Sequence, residues 1–155
     1  MIYRAAHDRR IACVVAQVGS MPDDWAKYYP KGLNGVYKGK SARARGTIDP
    51  VPQSGNAGGE LHGTAYGERI GRYCPGQYAD RVKVPTLVID AELEHYFKIK
   101  NNGGRAHEIL KKNGVSTEYH VFMGVKHYDI YKGKPLDDAM KLEIAWFDKY
   151  LKGNR

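Results

Sequence analysis

The sequence predicts an α/β fold on a mostly parallel sheet, and three observations lead there. Two runs, "IACVVAQV" (11–18) and "TLVIDAE" (86–92), are almost continuously apolar and rich in Val and Ile, as expected of strands buried on both faces of a parallel sheet. A third run, "TEYHVFM" (117–123), alternates, setting Tyr119, Val121 and Met123 against Glu118 and His120. That pattern suits a strand nearer an edge. Helical periodicity fills the stretches between and after the last two runs. The order strand–helix–strand–helix over 86–152 implies parallel strands joined by right-handed crossovers.

The first of these helices, "GGRAHEILKKNG" (103–114), places Ala106, Ile109 and Leu110 on one face. Lys111 and Lys112 fall in its last turn, where the helix dipole favours cations, and Gly114 is a natural stop. The second, "PLDDAMKLEIAWFDKYLKG" (135–153), begins with Pro135 near its first turn and ends at Gly153, following the usual asymmetry of helix ends. Met140, Ile144, Phe147 and Leu151 recur at helical spacing and predict one apolar stripe along it.

The chain has 155 residues, 42% of them hydrophobic, which suits one domain over 1–155 with a real core and argues against disorder. No apolar run approaches the roughly 18–20 residues of a membrane span. The opening "MIYRAAHDRRIACVV" lacks the layout of a signal peptide, because its apolar stretch is short and "MPDDW" follows closely. A soluble cytoplasmic protein is therefore expected. The two cysteines, Cys13 and Cys74, are too few for a disulfide framework or a zinc site. Cys13 sits in an apolar run and is expected to be a buried thiol.

Residues 19–83 differ in character. They hold most of the prolines and many tyrosines, and "PQSGNAGGE" (52–60) is a loop by composition. A long, poorly periodic excursion between two sheet strands is expected to act as a cap or lid.

Several other signals fall short of a function. "GLNGVYKGKS" (32–41) ends like a phosphate-binding loop, but Asn34 stands where glycine is required and no apolar strand leads in. The net charge of +8 and the basic run "YKGKSARARG", with Lys38, Lys40, Arg43 and Arg45, could contact phosphates. No nucleic-acid-binding module accompanies them, and nucleic acid is not the expected partner. Six histidines are scattered without the paired spacing of a metal site. Neither a metal nor another cofactor is expected.

The loops after the strands carry more. "LVIDAELEHYF" leaves the second strand with Asp90, Glu92 and Glu94 close together, and "GVKHYDIY" leaves the third with His127. In open α/β sheets, catalytic residues gather at the carboxyl ends of strands. If the two strands are neighbours, a carboxylate can meet His127 there. A buried carboxylate orients an imidazole, fixes its tautomer and stabilises its protonated form.

These segments resemble a known family. "ADRVKVPTLVIDAELEHYF", "AHEILKKNGVSTEYHVFMGVKHYDIY" and "AWFDKYLK" resemble the C-terminal half of the α/β-hydrolase superfamily, nearest its dienelactone-hydrolase-like and serine esterase/peptidase-like branch. "HDRRIACVVAQVGS" resembles the segment after that family's nucleophile helix, and "HGTAYGERIGRYCPGQYADRVKVP" its return from cap to core. The resemblance implies a partial α/β-hydrolase fold of about three strands. It puts the triad acid at Glu94, through "AELE", with Asp90 as second choice, and the triad histidine at His127, through "GVKH". The family's Gly-x-Ser-x-Gly turn does not occur in these residues. "GKSAR" around Ser41 lacks the second glycine, and Ser20, Ser54 and Ser116 match no better. The resemblance thus implies that Met1 lies inside the helix after the missing turn.

The expected function is hydrolase-like, on carboxylic esters or related acyl bonds, with a small ester-like substrate. The acid and histidine of a triad are in the chain and the serine is outside it. The alternative is an inactive hydrolase-fold fragment serving dimerisation or binding. Strand 11–18, continuously apolar yet without its family neighbour, would expose an open edge, so a homodimer through that edge is expected.

Overall fold

The computed structural model describes residues 1–19, 21, 74–95 and 97–152. The chain divides into two units, Met1–Asp23 with Pro75–Arg155, and Asp24–Cys74. Apart from Cys74, the second unit lies outside the described residues, and with it most of the expected cap and the "GLNGVYKGKS" and "YKGKSARARG" segments.

The first unit opens with one helical turn, α1 (Ile2–Ala5), followed by strand β1 (Val14–Gln17). A 3-10 helix, Pro75–Arg81, leads into β2 (Thr86–Leu93). Helix α2 (Gly103–Lys112), strand β3 (Thr117–Lys126) and helix α3 (Gly133–Phe147) follow, and a π-helical turn, Asp148–Lys152, extends α3. The strands form one parallel sheet in the order β1-β2-β3.

Strand β2 lies in the middle and is buried through Ala91, as its continuous apolar run requires. Its side chains divide between two cores. Val88 joins Ile2, Val14, Ala16, Ala79, Val82 and Leu110 on one face. Leu87, Ile89 and Ala91 join Phe122, Ile130, Ala139 and Trp146 on the other. Strand β3 alternates between half-buried and exposed positions over its first five residues, as an edge strand does. Cys13 is half-buried rather than fully buried, and burial pushes its thiol pKa up.

Helix α2 ends at the expected place. The Val115 N–H reaches back to the Leu110 carbonyl, closing the helix at Gly114. Its start is pressed against the sheet. A Cβ added at Gly103 would lie 2.1 Å from Asp90 Oδ2 and 2.9 Å from Val88 Cγ1. Both neighbours are fully buried and cannot swing away. Gly103→Ala is therefore expected to destabilise the fold by roughly 3 kcal/mol, as overpacking against fixed neighbours does. Urea unfolding checks this, and an unchanged midpoint would contradict the close approach.

Helix α3 differs from its sequence reading in which face it buries. Met140, Ile144, Phe147 and Leu151 do form a stripe, but they are 44%, 53%, 36% and 51% exposed. The sheet instead takes Ala139 and Trp146, flanked by Leu142 and Tyr150. Both sets recur at helical spacing, so periodicity alone does not choose between them. The indole and phenol rings of Trp146 and Tyr150, 4.6 Å apart, offer the larger apolar area to bury. No helix among the described residues is long and apolar enough to cross a membrane.

Candidate active site

The pairing of β2 with β3 positions the site. Thr86 faces Thr117, Asp90 faces Val121 and Ala91 faces Phe122; the register then slips, and Leu93 faces Lys126. The offset between paired residues rises from 31 to 33 across that slip. At the first offset Glu94 would face Val125, and at the second it faces His127. The irregularity in β3 thus brings the acid-bearing loop onto the histidine-bearing loop. It also extends β3 to Lys126, three residues beyond the 117–123 expected from alternation.

His127 Nδ1 and Glu94 Oε2 are hydrogen-bonded. The Glu94 side chain is 1% exposed and that of His127 17%, so the pair is largely shielded from solvent. A carboxylate at Nδ1 holds the proton on that nitrogen and leaves the Nε2 lone pair to accept another. Two rings hold the imidazole edge-on, Phe97 at 6.3 Å and Tyr128 at 4.7 Å between centroids. Beside it, Glu92, Glu94, Phe97, Lys98, Ile99 and Lys100 line a groove of about 300 Å³.

Asp90, the second candidate for the acid, lies elsewhere. It is fully buried on the α2 side of β2, under Gly103. The Tyr119 hydroxyl donates to its Oδ2 at 2.9 Å, while Oδ1 is buried without a hydrogen-bond partner among the described residues. Burial pushes the Asp90 pKa up to about 7, the Tyr119 bond opposes this, and the charge of Glu94 adds to it. The Tyr119 phenol is also raised, first by burial and then by the Asp90 charge. His107 stacks on Tyr119 at 5.6 Å, and burial lowers its pKa. The Asp90–Tyr119 contact was not legible in the sequence. The signal that could have found it is Tyr119 at an inward position of β3, paired in register with Val88.

The one described candidate serine, Ser116, bonds the Tyr150 hydroxyl and precedes β3. His127 follows that strand. Ten residues of strand span about 30 Å, so Ser116 cannot reach the imidazole. Ser20, Ser41 and Ser54 lie outside the described residues. Among the described residues no group of three or more His, Cys, Asp or Glu could hold a metal ion.

The parallel sheet and its flanking helices are shared with solved α/β hydrolases, so the chain has part of that fold. The chain is similar to the monoacylglycerol lipase of Paleococcus ferrophilus, with a TM-score of 0.62 and 14% identity over 96% of this chain and 63% of that one. It is similar to the α/β hydrolase GrgF from Penicillium sp. sh18, with a TM-score of 0.57 and 13% identity over 96% and 59%. A puromycin-hydrolyzing peptidase of Mycobacterium tuberculosis aligns at 0.59 and 19% identity over 97% and 20%. The chain thus spans less than two thirds of the length of these proteins. No protein-family model and no curated protein matches it by sequence.

Proposed function

We propose that the chain supplies the proton-handling half of a serine-hydrolase-type site acting on carboxylic esters or related acyl bonds. The observation that carries this reading is the shielded bond between His127 Nδ1 and Glu94 Oε2 at the carboxyl ends of adjacent parallel strands. His127 is the general base and Glu94 its orienting acid. A hydroxyl nucleophile from outside the described residues would give its proton to Nε2 as its oxygen attacks the ester carbonyl. The same proton would pass from Nε2 to the departing alkoxide when the tetrahedral intermediate collapses. Water, deprotonated in turn by Nε2, would release the acid and restore the hydroxyl. Residues 19–83 are the cap that sets specificity in this reading.

Hydrolysis of a short p-nitrophenyl ester tests it. His127→Ala is expected to lower kcat/KM by about 10³-fold or more, within the range for loss of a general base. A serine-directed fluorophosphonate should block the remaining turnover. Equal activity above the buffer rate in wild type and variant would overturn the assignment.

A second reading, a hydrolase-fold module for dimerisation or binding, draws support from β1. Among the described residues it pairs with β2 on one side only, and an open apolar strand edge favours pairing with a second chain. A homodimer through 11–18 is the expected assembly. Size-exclusion with light scattering should give twice the chain mass at micromolar concentration, and a stable monomer would count against it.

A further inference from the structure

We infer that Glu92 is a positioning residue for His127, fastening the bulge that brings the histidine to Glu94. The inference rests on the His127–Glu94 reading above and adds a second carboxylate to it.

The register slip puts Met123, Gly124 and Val125 of β3 opposite the single residue Glu92 of β2. A strand that gains residues over its partner leaves backbone groups outside the ladder. Gly124 takes a left-handed conformation there, φ 69°, one that side chains beyond glycine rarely adopt. Its N–H donates to Glu92 Oε2 at 2.7 Å. The acceptor is charged, which strengthens the bond, and both residues are exposed, so water competes for it.

The two carboxylates then act together. Glu92 is the penultimate residue of β2, and Glu94 lies just after the strand's end at Leu93. Glu92 holds the Gly124 N–H and Glu94 holds His127 Nδ1. The segment "GVKH" is thereby tied at both ends to one short stretch of β2. Releasing the Gly124 end lets β3 relax toward the earlier offset, in which Glu94 faces Val125 rather than His127. Glu92 touches Gly124 and not the imidazole, so its effect on the histidine is indirect.

Proton NMR of the full chain labelled with ¹⁵N at histidine and glycine tests this. In wild type the His127 Nδ1 proton and the Gly124 amide should both exchange slowly. Glu92→Ala should speed both by about tenfold, the effect of losing one charge-assisted hydrogen bond. Glu92→Gln, whose amide oxygen can accept the same N–H, should restore both to within about threefold. If the alanine variant does not fold, Glu92→Asp, one methylene too short, replaces it with the same expectation. Faster exchange at Gly124 with an unchanged His127 proton would overturn the inference and leave the Glu94 pair intact. A wild-type His127 without a hydrogen-bonded Nδ1 proton would overturn the pair and this inference with it.

Discussion

Glu94→Gln is expected to cut ester hydrolysis by about 10²–10⁴-fold, chiefly in kcat, with the fold intact. The amide keeps the shape of the carboxylate and removes its charge. Glutamine can also present its NH2 to Nδ1, which would move the ring proton to Nε2. A ring protonated there cannot accept the proton of a nucleophile. The cost falls on chemistry rather than on substrate binding because Glu94, 1% exposed behind His127, faces the imidazole. Asp90→Asn should not have this effect, since Asp90 is turned to Tyr119. Steady-state kinetics on the two variants separates the candidates for the acid. Equal losses from both would contradict the geometry.

Asp90→Asn should instead change how stability depends on pH. Asp90 is raised from 3.8 to about 7 in the folded protein, first by burial. A raised carboxyl favours the folded state in its neutral form. Its contribution is therefore fully present below the unfolded value and is lost as pH rises through the folded one. Across the whole window the loss is on the order of 4 kcal/mol, of which roughly 3 falls between pH 5 and pH 8. Ionisation would place a second charge near Glu94 and strand an oxygen, Oδ1, that has no donor among the described residues. Urea unfolding at several pH values should show wild-type stability falling over this interval and the asparagine variant nearly flat. The same slope in both would show that Asp90 does not titrate there.

These outcomes bear on what the sequence could reveal. The middle strand was legible because burial on both faces leaves a continuous apolar run, "TLVIDA". The pairing of Glu94 with His127 was legible through "AELE" and "GVKH", two loops that parallel neighbouring strands must bring to one end. The slip that completes the pairing was not legible. It depends on backbone bonds between two strands, and neither strand's side-chain period records it. The same limit applies to α3. Its residues offer two apolar stripes, and only packing on the sheet selects Trp146 over Phe147. Asp90 was ranked by its place at the end of a strand, yet its role follows from Tyr119 and Gly103, residues 29 and 13 positions away. Residues 19–83, the expected cap, were the least legible stretch of the sequence, because loop composition carries no periodicity to read.

The most direct test of the central claim is a double-mutant cycle on ester hydrolysis with His127→Ala and Glu94→Gln. If Glu94 acts only by orienting His127, the double variant should be no slower than His127→Ala alone, within about twofold. Losses that multiply across the two sites would contradict it.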